Sequence, residues 1–292
     1  MRVLPRPSLA DRTSLRLGGR ALAEVCLEEE QDWENLPDVL NRLGGIPLIL
    51  GRGSNVLAGD GDLPLVLLRL QGQRGGYLSR GRERVSVQAG RSLPGFLAFL
   101  QRQSLSGLEG LTGIPGSVGG AVAMNAGSFG CSLDEYLERV QLWTREDGLF
   151  WLDAADLKTG YRFFDPGLGS RFWVVTRAEF VLSHEEHAQS IKERMRQVYL
   201  RKKRTQPILS RTCGCVFKNP APESPAGRLL EDCGLKGFRC GGMVFSKTHA
   251  NFLVNRGRGK TGEALELIEI ARERCKSRFG LELDLEVRVI GG

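Results

Sequence analysis

At 292 residues the chain can form two or three compact units. With 41% hydrophobic and 26% charged residues it has a globular composition, neither disordered nor membrane-like. A net charge of +7 attracts phosphate-bearing ligands of any kind, but aromatic residues make up only 7% and the basic residues are dispersed except around 192–204, which excludes a base-stacking platform and a nucleic-acid partner. Pro5, Pro7 and scattered charges replace the apolar stretch of a secretory signal, no run approaches a membrane span, and seven cysteines are odd in number and scattered. The expectation is a cytoplasmic protein with free thiols and no membrane association.

In chain order, residues 22–69 read as short apolar runs between turns. Leu22 to Glu28 is followed by a polar segment ending at Gly44-Gly45, and Ile46 to Leu50 then has the pattern of a buried strand bounded by glycines. Arg84 to Gly90 alternates as a half-buried strand, and the segment from Leu93 suits a helix with Pro94 early in it. The stretch from Gly107 to Gly130 carries glycine at a density that no regular helix or strand tolerates. Leu108, Leu111, Ile114, Val118, Val122 and Met124 are too apolar for a flexible linker.

Further on, RVQLWTRED, GLFWLDAADL and RFWVVTRAEFVLS read as strands of a second antiparallel sheet, and Ile191, Met195 and Val198 fall at helical spacing before the basic run that ends at Arg204. Strand-like GCVFKN and MVFSKTHANFLVN precede a helix with Ala264, Leu267, Ile268, Ala271 and Cys275 on one face, and LELDLEVRVIG alternates to the end. Strands and helices are segregated, so the predicted class is α+β, with units at 1–70, 71–205 and 206–292.

The chemistry gathers on three glycine turns. Gly51, Arg52, Gly53, Ser54, Asn55 and Val56 follow the Ile46–Leu50 run. Gly113, Ile114, Pro115, Gly116, Ser117, Gly119, Gly120 and Ala121 form the second turn, and Asn125, Ala126 and Gly127 the third. Main-chain N–H groups of such turns can ring a phosphate where side chains would obstruct it. Together they suggest a long phosphate-bearing ligand such as a dinucleotide. Neither Walker A nor GxGxxG spacing is present, and no cysteine or histidine spacing supplies a zinc site, so no metal is expected.

LGRGSNVL, GLEGLTGIPGSVGGAVAMNAGSFG, Tyr161-Arg162, GCVFKNP, FSKTHANFLVN and LEVRVIG, in this order from Ser14 onward, resemble the UDP-N-acetylenolpyruvoylglucosamine reductase family over nearly the whole chain. The resemblance implies a two-part FAD-binding domain of the vanillyl-alcohol-oxidase type followed by an α+β substrate-binding domain. It implies non-covalent FAD on the three turns, NADPH as hydride source and a UDP-sugar as substrate. By the family's motifs Arg162 and Glu286 would stabilise the enolate formed on hydride arrival, and a protonated Glu286 would need burial. Asn219 would meet the nucleotide-sugar, and Arg204 its pyrophosphate.

The family's proton donor is usually the serine of GSxFKNP, a position held here by Cys215. A thiol, with a reference pKa of about 8.5, is a competent donor, at the cost of exposure to oxidants. Phe163-Phe164-Asp165 departs from the family's usual small residue and serine after Tyr-Arg. The interval between Arg162 and Cys215 implies the shorter subtype without a tyrosine loop, and a monomer is expected. Outside the resemblance, Arg162 reads as a surface arginine, Glu286 as a solvated strand residue and His249 as a structural hydrogen-bonding histidine. Two other readings are a different flavin oxidoreductase of the same superfamily and a non-catalytic nucleotide-sugar binder.

Overall fold

The computed structural model describes residues 1–71, 77–80, 83–185 and 187–291. The chain divides into two compact units, the first made of residues 1–5, 23–52 and 66–200 and the second of 6–22, 53–65 and 201–292. The N-terminal 70 residues therefore contribute to both. Sheets and helices are segregated, the α+β arrangement expected. Among the described residues no helix is long and apolar enough to cross a membrane.

In the first unit an antiparallel five-stranded sheet runs in the order Gly148–Asp153, Leu137–Thr144, Trp173–Val181, Arg84–Gln88, Tyr77–Arg80. The unit holds helices α1 (Asp32–Leu43), α2 (Leu93–Arg102), α3 (Val118–Ala123) and most of α4 (Ala188–Thr205), whose end from Arg201 belongs to the second unit. α2 starts where expected: Ser92 Oγ accepts from Gly95 N and Pro94 occupies the first turn, where no intrahelical N–H is needed. Leu93, Phe96, Leu97 and Leu100 form its buried face in a core with Val85, Val87, Val118, Val122, Val140 and Phe180. Each such large side chain contributes about 1.5–3 kcal/mol by leaving water.

A second core lies on α1, where Trp33, Leu36 and Val39 pack with Val25, Leu27, Val66, Leu68 and Trp143. This helix lies in the stretch expected to be a polar segment ending at Gly44-Gly45, and it forms although Pro37 stands inside it because its apolar residues keep helical spacing. Ile46–Ile49 is a strand as expected but not a buried one. It ends the sheet order Arg2–Pro5, Arg20–Leu27, Asp62–Leu70, Ile46–Ile49, and at this edge Ile46 is 60% exposed.

In the second unit, α5 (Ala226–Asp232) and α6 (Thr261–Phe279) accompany an antiparallel sheet ordered Thr212–Cys215, Phe252–Asn255, Met243–Phe245, Arg239–Cys240. Ala264, Leu267, Ile268, Ala271 and Cys275 are all buried, the face read from the sequence. Leu15, Leu17 and Leu57 join the same core. Of the alternating terminal segment only Arg288–Ile290 is a strand, parallel to Val56–Ala58; Asp284 to Val287 are held by Val216 and Lys218 instead of a continuing ladder.

Candidate active site

The first unit carries the second and third glycine turns and the start of the first. Leu50 N donates to Leu68 O at 2.9 Å, which seats Gly51 at the end of its strand. There a side chain has no room, because a Cβ on Gly51 would collide with Ser117 Oγ of the second turn. The two turns are thus in direct contact. Ser117 caps α3 by accepting from Gly120 N at 3.3 Å. Leu93 N and Val118 N bind Gly116 O and Arg91 O, fixing the second turn to the α2 segment. Gly119 N and Ala121 N are also taken, by Ala89 O and Ser117 O. Among the described residues the main-chain N–H groups of Gly51, Arg52, Gly116 and Ser117 donate to no backbone carbonyl, and Thr112 Oγ1, at the entry to the second turn, is buried without a hydrogen-bond partner there. A glycine cradle with orphan donors fits an anionic dinucleotide.

Asn125, buried and in the left-handed region at φ +42°, ties the third turn to its surroundings. Its Nδ2 donates to Gly160 O at 2.8 Å, while its Oδ1 accepts from Ser132 Oγ and Asp134 N. Gly160 and Phe163 pair across a hairpin whose turn is Tyr161-Arg162. Arg162 occupies φ +54°, a conformation normally left to glycine or asparagine, and its Nη2 donates to Gly127 O at 2.7 Å. A non-glycine residue in such a turn stores backbone strain, which here aims a guanidinium at the third glycine turn. Strand alternation separates the unusual aromatic pair: Phe164 is buried against Trp173, while Phe163 is 50% exposed.

In the second unit the remaining motif residues converge. Gly53 at φ +60° lies so close to Arg12 O that no Cβ fits. Asn55 Nδ2 donates to Glu286 O at 3.0 Å, and Asn55 O accepts from Arg288 N. Glu286 N in turn donates to Val216 O at 2.8 Å, so Glu286 lies beside the segment that follows Cys215. The Thr212–Cys215 strand breaks register at Gly214, φ +81°, leaving Cys213 fully buried and Cys215 half-buried. Burial, with a smaller push from the Glu286 charge, raises the Cys213 thiol to about 12. Asn219 is exposed, and its Oδ1 accepts from Ala226 N at the start of α5. Arg204 is exposed on α4, and the buried member of that basic run is Lys202, only 2% exposed.

Two residues escaped the sequence reading. Lys202 is one, because a run of cations gives no sign of which one turns inward. Asn251 clamps the segment after Cys215 with two bonds to one residue, since its Oδ1 accepts from Phe217 N at 2.9 Å and its Nδ2 donates to Phe217 O at 2.8 Å. It stands inside the FSKTHANFLVN motif, yet residue type alone does not distinguish a clamp from a turn asparagine. His249 has the structural role expected: its Nδ1 accepts from Asn251 N, its ring meets Phe252 edge-on at 4.9 Å, and burial lowers its pKa.

Residues 21–152 match the family described as FAD binding domain. With the glycine cradle, this defines the class: an FAD-dependent oxidoreductase. Residues 206–290 match the family described as UDP-N-acetylenolpyruvoylglucosamine reductase, C-terminal domain. Proteins with the name UDP-N-acetylenolpyruvoylglucosamine reductase are similar throughout: that of Nitratidesulfovibrio vulgaris is 50% identical over 99% of both chains, and that of Oleidesulfovibrio alaskensis 45% identical over 98% of this chain and 97% of its own. The crystal structure of the reductase from Thermus caldophilus superposes with a TM-score of 0.81 at 34% identity, covering 99% of each chain. The chain belongs to the UDP-N-acetylenolpyruvoylglucosamine reductase family.

Proposed function

We propose that the chain reduces the enolpyruvyl ether of UDP-N-acetylglucosamine to UDP-N-acetylmuramate, with NADPH as reductant, in the cytoplasmic synthesis of peptidoglycan precursors. Residues 1–70 and 71–205 hold the flavin and 206–292 the UDP-sugar, and the chain works as a monomer. Bound FAD supplies hydride transfer, from NADPH to the methylene carbon of the substrate. Gly51, Arg52, Gly53, Ser54, Asn55 and Val56, with Gly113 to Ser117, Gly119 to Ala121 and Asn125 to Gly127, bind and orient it, chiefly through the main chain.

Arg162 neutralises the charge that develops on the substrate carboxylate, assisted by Glu286 as a hydrogen-bond donor when protonated. Cys215 Sγ delivers a proton to the carbon next to the one that received the hydride. Asn219 contacts the nucleotide-sugar, and Arg204 the pyrophosphate. What supports this reading is the pairing in the second unit, where Asn55, of the first glycine turn, holds Glu286 against Val216, the residue after Cys215.

The test is an anaerobic one. NADPH should bleach the flavin absorbance of the purified protein, and the UDP-linked enolpyruvyl ether should restore it. Bleaching without restoration would leave a flavin oxidoreductase of another substrate. Activity kept in Cys215→Ser and lost in Cys215→Ala supports the proton donor, and an unaffected alanine variant removes it from the mechanism.

A further inference from the structure

A thiol pair stands apart from these residues in the second unit. Cys233 ends α5, Cys275 lies on the buried face of α6, and their sulfurs are 3.6 Å apart. Both are free thiols. Other cysteines of the chain bond to oxygen: Cys240 Sγ donates to Glu266 Oε2 and Cys131 Sγ to Gly107 O. A disulfide needs sulfurs about 2.05 Å apart, so bridging this pair takes a sulfur displacement of about 1.5 Å. Cys233 can supply that movement, because it is the C-cap of α5 and Gly234, in the left-handed region at φ +71°, follows it.

We propose that Cys233 and Cys275 form a covalent modification site, a dithiol that a low-molecular-weight disulfide of the glutathione class converts into a bridge between α5 and α6. The half-buried Cys233 is the entry point. Its thiolate attacks one sulfur of the small disulfide, forming a Cys233 mixed disulfide and releasing one small thiol, which takes up the proton. Cys275 Sγ then attacks the Cys233 sulfur, the protein bridge forms, and the second small thiol leaves with the Cys275 proton. Two protein thiols are oxidised and one small disulfide is reduced to two thiols.

In the resting protein burial, and then the neighbouring Cys233 thiol, push Cys275 up to about 12, which keeps it unreactive by itself. Blocking Cys233 as a mixed disulfide removes the second of these causes and presents an electrophilic sulfur to Cys275. The bridge spans 42 positions of chain, between the helix that starts under Asn219 and the long C-terminal helix. It leaves Cys215 untouched, so the site is independent of the proposed catalytic role of that residue.

The experiment uses the full chain with FAD, incubated in its native state with oxidised glutathione, then quenched by alkylation and mapped by non-reducing peptide mass spectrometry. The expected result is a Cys233–Cys275 cross-linked peptide, a loss of two alkylatable thiols from this pair and full reversal by a phosphine reductant. Cys233→Ser should abolish the cross-link while Cys275 stays alkylatable after unfolding. A glutathione adduct that persists on Cys233 with Cys275 free, no reaction at Cys233, or a bridge that forms only in denaturant would overturn the proposal.

Discussion

Gly51→Ala tests the contact between the first two glycine turns. The added methyl would overlap Ser117 Oγ, whereas Ser117 Cβ lies 3.5 Å from the same point, an ordinary contact. Accommodation therefore means rotating or displacing one hydroxyl that caps α3. The lost cap costs about 1 kcal/mol and the local overpacking about 1–3 kcal/mol. If the strain falls on the flavin-binding geometry, the FAD dissociation constant should rise on the order of 30- to 1000-fold. The assay is fluorescence quenching on titrating apoprotein with FAD, alongside thermal unfolding with and without it. Ser117→Ala alone should cost about 1 kcal/mol by removing the cap. In the double variant the overlap is gone, so its affinity should approach that of Ser117→Ala, a coupling of about 2–4 kcal/mol. Additive losses, or unchanged FAD affinity in Gly51→Ala, would refute the claim that these turns jointly cradle the cofactor.

Removing the proton donor with Cys215→Ala should slow substrate-dependent reoxidation of the reduced flavin by about 10²- to 10⁴-fold, leaving bleaching by NADPH intact; stopped-flow absorbance separates the two half-reactions. Arg162→Gly relieves a left-handed residue while deleting the charge, so stability should stay within about 1 kcal/mol of wild type. Its turnover should fall about 10²- to 10³-fold, and a variant that fails to fold would make Arg162 a structural residue instead. Cys213, with its folded pKa raised from 9.0 to about 12, stays a thiol after the unfolded chain has begun to ionise. Its contribution to stability is complete below pH 9 and drains away as pH climbs toward 12; denaturant titrations across that window should show a smaller decline for Cys213→Ala than for wild type.

What the sequence made legible follows from how local each signal is. The helical face of α6 and the start of α2 are set by neighbours a few residues away, so periodicity and one early proline suffice to read them. The glycine turns could be read as a cradle because Gly53 admits no Cβ and Gly51 admits one only if the Ser117 hydroxyl moves, constraints that leave a residue type behind. Which donors stay unclaimed could not be read, since that depends on Ala89, Arg91 and Ser117 taking the others. The joining of Asn55 to Glu286, 231 positions apart, is equally invisible to spacing. Inside α1, Pro37 is a local signal with the wrong sign, overridden by burial of Trp33 and Leu36. In the α4 run, charge says nothing about direction, and only packing selects Lys202 for the interior.

The asparagine at 251 reproduces, with a side chain, what an extra strand would offer Phe217: one donor and one acceptor at matching height. An aspartate has the same shape but no N–H, so hydrolysis of that single amide would place a carboxylate oxygen opposite Phe217 O. Replacing one nitrogen by oxygen there would set acceptor against acceptor and loosen the segment that follows Cys215.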